Sequence, residues 1–169
     1  MDVIKIKEMA HQATSQNGCR IYDFYRHKDR LQFLIDKSEE QVSLKDCENV
    51  FHSLKFLIET EYPEVLNQKR LEISTPGMDK KLREQWHFEE ALHQAVKVVT
   101  SSPVSCLDSE KQKTVHCQTM VGELISVSSD EISLKDPKRQ WMIPFSKIKL
   151  AHVVLPIEAN NKKRGKKNV

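Results

Sequence analysis

Apolar residues fall into two periods along this chain. Leu44, Cys47, Val50, Phe51, Leu54, Leu57 and Ile58 recur every three or four residues. That spacing places them on one stripe of a helix of about four turns. Ser43 precedes the stripe and Asp46 stands three residues on, a capping box with a shortened acid. Tyr62-Pro63 ends the helix, because proline brings no backbone N–H. From residue 96 the period falls to two. Val96 and Val98 alternate around Lys97, Glu131–Lys135 alternates cleanly, and Ile148, Leu150, His152 and Val154 repeat at every second position. These are half-buried strands.

The remaining elements follow from turn residues. Residues 2–14 predict a short helix, and Asn17-Gly18 a turn. Residues 19–25 and 30–35 predict two strands joined as a hairpin by His27-Lys28-Asp29. In Leu71-Glu72-Ile73-Ser74 apolar and polar residues alternate, and Thr75-Pro76-Gly77 stops that strand. Residues 78–93, with Trp86, Phe88, Ala91 and Leu92, predict a short helix or a connection, with both aromatics used for packing. Residues 101–114 predict a loop, and 117–127 a long strand with a bend or bulge at Gly122. Residues 140–145 predict a strand with Pro144 at its end or on an edge. The expected fold class is α+β: an N-terminal α/β domain (helix, hairpin, helix, strand) over 1–90, then a small SH3-like or Sm-like β-barrel over 91–156. Residues 157–169 predict a disordered basic tail.

Charge becomes informative only when divided along the chain. The formal net charge of the 169 residues is +3. Residues 1–95 hold 14 basic and 17 acidic residues, and 96–161 hold 8 and 7. Lys162, Lys163, Arg164, Lys166 and Lys167 therefore supply more than the whole excess. A near-neutral body argues against a broad polyanion-coating surface and for local contacts. Met1-Asp2-Val3-Ile4-Lys5 lacks the apolar core of a signal peptide, and no apolar run is long enough to span a bilayer. A cytoplasmic protein without membrane association is expected. Cys19, Cys47, Cys106 and Cys117 form no CxxC pair and read as thiols, with Cys47 in the core. His116-Cys117 has no second ligand pair at metal spacing.

The chain resembles the bacterial ribosome maturation factor RimP family over about residues 17–155. The resemblance rests on Ser43-Leu44-Lys45-Asp46-Cys47-Glu48, on Leu71-Glu72-Ile73-Ser74-Thr75-Pro76-Gly77-Met78-Asp79, and on His87-Phe88. Gly122-Glu123-Leu124, Ile143-Pro144-Phe145, Ile148 and Ala151 extend it. The chain departs from the family pattern at Thr75, where a second Ser is usual. It departs again at Lys80-Lys81, where Arg-Pro is usual, and at His93, where Gly is usual. The resemblance implies a non-enzymatic assembly factor without cofactor or metal. It would bind the free small (30S) ribosomal subunit late in its assembly, near the site of protein uS12.

Lys80, Lys81 and Arg83 follow the Pro-Gly turn and are the expected contacts to 16S rRNA phosphates, Arg83 in bidentate fashion. The tail cations Lys162, Lys163, Arg164, Lys166 and Lys167 would add encounter rate and salt sensitivity. The β-barrel would offer strand edges to a ribosomal protein. Two other readings compete with this one. A general Sm-like RNA-binding or protein-adaptor module would act away from ribosomes; the absence of repeats and the attached α/β domain favour a monomer over a ring. An enzyme would need Glu72 and Asp79 to meet across the turn as a carboxylate pair. No His or nucleophile completes that pair, and no phosphate loop is present.

Overall fold

The computed structural model describes residues 3–108 and 113–154. The chain divides into two compact units at Gly77/Met78. The class is α+β, as expected. In the first unit the order is α1 (Val3–Gln16), β1 (Arg20–Arg26), β2 (Arg30–Asp36), α2 (Leu44–Glu61), α3 (Pro63–Gln68) and β3 (Arg70–Ser74). Asn17-Gly18 closes α1, with Gly18 at φ 65°, a left-handed conformation that glycine adopts at no steric cost. β1 pairs antiparallel with β2, and β3 pairs parallel with β2. The parallel pair requires a crossover, which α2 and α3 supply.

The helices bury one face of this sheet. Ile6, Met9, Ala10 and Ala13 from α1 meet Leu54 and Ile58 from α2, Val65 from α3, and Leu31 and Phe33 from β2. A second cluster joins Cys19, Ile35 and Val50, with Cys47 packed against it. Burial pushes both the Cys19 and Cys47 thiols up from their ordinary value. The predicted stripe on α2 holds except at its first member, since Leu44 lies 77% exposed. It is the first residue of the helix. The hydrophobic pattern does not announce the short helix α3. Pro63, which ends α2, also opens α3 as its first residue, where its missing N–H costs nothing.

The N-terminus of α2 is capped in both directions. Asp46 N–H donates to Ser43 Oγ at 3.2 Å, and Ser43 N–H donates to Asp46 Oδ2 at 2.8 Å. Lys37 Nζ lies 3.0 Å from Asp46 Oδ1. The Ser43 hydroxyl and N–H, then Lys37, hold the Asp46 carboxyl at about 2.

The second unit runs α4 (Gln85–Glu90), β4 (Ala95–Asp108), β5 (Lys113–Val127), β6 (Glu131–Lys135), β7 (Gln140–Pro144), a 3-10 turn (Phe145–Lys147) and β8 (Ile148–Val153). Its antiparallel sheet has the order β7-β6-β5-β4-β8, so β7 and β8 are the edges and the sheet is open. Val96, Val98, Met120, Leu124, Ile132, Leu134, Trp141 and Ile143 form its core. Residues 78–90 belong to this unit, not to the first as the 90/91 boundary expected. Leu82, Phe88 and Ala91 pack into the second core, which decides the matter.

Two further expectations are corrected. The 101–114 segment is not a loop. β4 continues through Asp108 and pairs with β5 from Val104↔Cys117 to Asp108↔Lys113. A register shift between Val99 and Val104 absorbs Pro103, whose missing N–H would break a regular ladder. Gly122 is no bulge either, because it pairs in register with Val96. Its role is close approach: a Cβ there would stand 2.6 Å from the Lys135 carbonyl oxygen. The irregularity of β5 falls instead between Leu124 and Ser126. His93, where the resemblance led us to expect glycine, lies at φ 66°, and its N–H donates to the Leu124 carbonyl at 2.8 Å.

These features set measurable outcomes. Gly122→Ala should lower stability by about 1–3 kcal/mol, the range for forced overpacking, read as a fall in melting temperature. His93→Gly should raise the melting temperature and His93→Val should lower it, since a left-handed residue costs about 1–2 kcal/mol unless it is glycine. An unchanged melting temperature in His93→Val would contradict the assigned backbone. Ser43→Ala should cost about 1 kcal/mol through the lost cap. The depressed Asp46 carboxyl contributes stability above its ordinary value of 3.8 and loses it as pH falls through about 2. The stability gap between wild type and Asp46→Asn should therefore narrow across that window in acid-titrated melts.

Candidate nucleic-acid interface

Gly77, at φ 76°, turns the chain after β3. Downstream, residues 80–82 lie alongside the outer edge of β8. Val153 N–H donates to Lys80 O at 3.0 Å, and Leu82 N–H donates to Ala151 O at 2.9 Å. Lys81 and His152 form an antiparallel bridge between these bonds. Extended backbone alternates its side chains. Leu82 turns inward and is only 4% exposed, whereas Lys81 and Arg83 are exposed and Lys80 is half-buried. The three cations singled out from the sequence are thus split, two on one face and one on the other.

α4 fixes the backbone beyond this short strand. The buried His87 ring presents Nδ1 to two backbone donors, Arg83 N–H at 3.0 Å and Glu84 N–H at 3.2 Å. A nitrogen that accepts two N–H groups carries no proton itself. The imidazole therefore caps the helix from its third position and sets the direction in which Arg83 leaves the chain. Trp86 stacks edge-on against the same ring at 4.1 Å between centroids. Phe88 is buried and packs edge-on against Phe145 at 5.2 Å. Phe88 has the packing role expected of it.

Lys81 and Arg83 line a groove of about 480 Å³ together with a third cation, Lys149 of β8. Leu82, Phe88, Phe145 and Ile148 supply its apolar lining. Sequence reasoning missed Lys149, because nothing in the alternation of β8 says that it borders the same groove as the segment 81–83. Cations around an apolar concavity can engage phosphate oxygens while an aliphatic or aromatic wall accepts a sugar or base.

The other candidates are placed elsewhere. The tail residues Lys162, Lys163, Arg164, Lys166 and Lys167 lie outside the described residues. Trp141 is 2% exposed, so its indole belongs to the core and not to a contact surface. β8 is no open edge along 151–153, where residues 80–82 already pair with it. Glu72 Oε1 accepts from Gln32 Nε2 at 2.8 Å and Oε2 lies 3.4 Å from Arg30, a structural tether within the first sheet. His116 Nδ1 pairs with Ser105 Oγ at 2.8 Å, and all four cysteines are free thiols. Among the described residues no three His, Cys, Asp or Glu side chains gather as a metal site. No described helix is long and apolar enough to cross a membrane.

A family model, the RimP N-terminal domain, matches residues 9–79. The match begins within α1, takes in the β1–β2 hairpin, the capped helix α2, α3 and β3, and ends just past the Gly77 turn. This match supports kinship with the RimP family of ribosome maturation factors.

Proposed function

We propose that this protein binds the free 30S subunit in the cytoplasm and assists its late assembly near the uS12 site. The observation that carries the proposal is the RimP N-terminal domain over residues 9–79. The protein works by binding, as a monomer, and not by catalysis. The second sheet serves as an SH3-like or Sm-like barrel that presents segment 80–83. Lys81 and Arg83, with Lys149, take 16S rRNA phosphates at the groove, Arg83 as a bidentate fork and the lysines as point charges. Lys80 adds a separate contact from the other face of the segment, and Lys162, Lys163, Arg164, Lys166 and Lys167 extend the electrostatic reach.

An assembly factor must also leave. Binding the unfinished subunit better than the finished one shifts the population toward the state that accepts the next protein. Few, local cations on a near-neutral body suit that requirement, because modest affinity permits release. The competing reading is a general RNA-binding or protein-adaptor module, which would use the same groove without preference for unfinished subunits.

Sedimentation of a cell extract through a sucrose gradient separates the two. Enrichment with free small subunits and absence from whole ribosomes is expected at low and moderate salt. A protein that stays at the top, or follows all RNA equally, would overturn the assembly reading. Lys81→Glu combined with Arg83→Glu should weaken association with purified free subunits about tenfold and flatten its salt dependence. Binding as tight as wild type would remove these residues from the interface.

A further inference from the structure

The groove lined by segment 81–83 and β8 has an apolar floor that phosphate contacts leave unused. Phe145, Ile148 and Leu150 are its accessible apolar lining. Phe145 and Ile148 are half-buried, and Leu150 is 44% exposed. Phe145 opens the 3-10 turn, and its N–H donates to the Asp130 carbonyl at 2.9 Å. Its ring meets the buried Phe88 edge-on. Backbone and ring are both tethered, so this aromatic is in place before any ligand arrives.

The strand beside it is irregular at the same spot. Val99 of β4 pairs with Leu150, and Thr100 pairs with Ile148. One step along β4 thus matches two along β8, and Lys149 is the extra residue. A bulge of this kind re-aims a side chain. It also interrupts the alternation of β8, where the neighbours Lys149 and Leu150 are both exposed and both line the groove. Among the described residues, the lining combines these apolar side chains with three cations, Lys81, Arg83 and Lys149, and includes no acid.

A volume of about 480 Å³ falls in the range of about 300–1,000 Å³ typical of sites for small ligands. Duplex RNA keeps its bases paired and stacked and presents chiefly phosphates and riboses to a protein. It would satisfy the cations and leave the floor in water. An unpaired nucleotide brings a flat ring and an adjoining phosphate together, and a cationic groove with an aromatic platform is how single strands are held. An acidic peptide also matches the cations, but it does not set a charge beside every ring.

We infer that this groove takes one unpaired nucleotide of single-stranded RNA, its base against Phe145 and its phosphate at Lys149, and discriminates against duplex. The inference rests on the assembly-factor reading for its RNA and deepens it. A strand that is unpaired in the unfinished subunit and paired in the finished one would hold the protein only until it pairs.

The test uses the full chain and a fluorescent, unstructured oligoribonucleotide of about 12 nucleotides, a length within the usual site size. Anisotropy is followed with this strand alone and annealed to its complement, at a series of salt concentrations. A duplex carries twice the phosphate charge, so binding by charge alone favours the duplex. The single strand should nevertheless bind about tenfold tighter. Phe145→Leu should remove about tenfold from single-strand affinity, the scale of one lost base stack, while duplex binding and the salt slope stay unchanged. Phe145→Trp should retain the affinity. Lys149→Gln should lower the slope of log affinity against log salt by about 0.7 on the single strand. Lys55→Gln, on an α2 surface paired with Glu59, should alter neither. Thermal melts establish that each variant is folded. If Phe145→Leu is not, the strand preference of the wild type and the exposed Lys149 carry the test. Duplex binding as tight as single-strand binding overturns the inference. So does a folded Phe145→Leu that binds the single strand like wild type, or a wild-type chain that binds neither RNA. If Phe145→Leu weakens binding to intact free subunits but not to the single strand, the groove takes a ribosomal protein and the nucleotide is refuted. Co-sedimentation with free subunits, run in parallel, separates the two claims. Single-strand preference without co-sedimentation sinks the assembly role and leaves the nucleotide site standing. Co-sedimentation without that preference does the reverse.

Discussion

Two backbone hydrogen bonds, from Val153 to Lys80 and from Leu82 to Ala151, decide how the second unit presents its charge. They hold residues 80–82 as an extra strand on β8, and Leu82 drops into the core as their anchor. Alternation then leaves no freedom: with Leu82 inside, Lys81 and Arg83 must face away. Two backbone bonds with one buried leucine are a modest attachment, each bond contributing about 1 kcal/mol net and the leucine about 2 kcal/mol. The buried His87 reinforces it from the other side, by binding the N–H of Arg83 and Glu84. Arg83 is thus set by a helix cap and Lys81 by a strand register.

The first unit was largely legible from its sequence, because local signals there agree with the tertiary result. Ser43 and Asp46 made the cap, Val50, Leu54 and Ile58 made the buried stripe, and Gly18 and Gly77 made the left-handed turns. α3 escaped because six residues carry too little periodicity to announce a helix. The second unit was less legible where long-range geometry overrides local preference. Ser101, Ser102 and Pro103 look like a loop, yet the ladder resumes at Val104 after a shift in register. Gly122 looks like a bulge, while its reason lies in a carbonyl of the neighbouring strand, which no local pattern can reveal. Of the site, Lys81 and Arg83 were legible from their place after the turn. Lys149 was not, since its place depends on how β8 pairs with β4.

His93 shows what a side chain costs at a left-handed backbone position. Its backbone keeps the left-handed conformation that glycine adopts without cost, and its N–H still reaches Leu124. The constraint comes from the hydrogen bond at the start of β4, so the chain retains the turn and accepts the strain of a side chain. Glu123 beside the ring offers a partial offset. The backbone conformation at this position is set by the hydrogen bond to Leu124 and not by the residue that would best satisfy it.

The pairing of residues 80–82 with β8 has a consequence for synthesis. The segment leaves the ribosome before any of β4 to β7, but its partners Ala151 and Val153 are made only after all of them. The hairpins β4–β5, β5–β6 and β6–β7 join neighbours in sequence and close cheaply, whereas β8 must return to β4 before segment 80–82 has anywhere to dock. A nascent or C-terminally truncated chain can thus complete its first unit while Lys81 and Arg83 remain unpositioned. The charged surface is assembled last, and its presence reports that the second sheet has been finished.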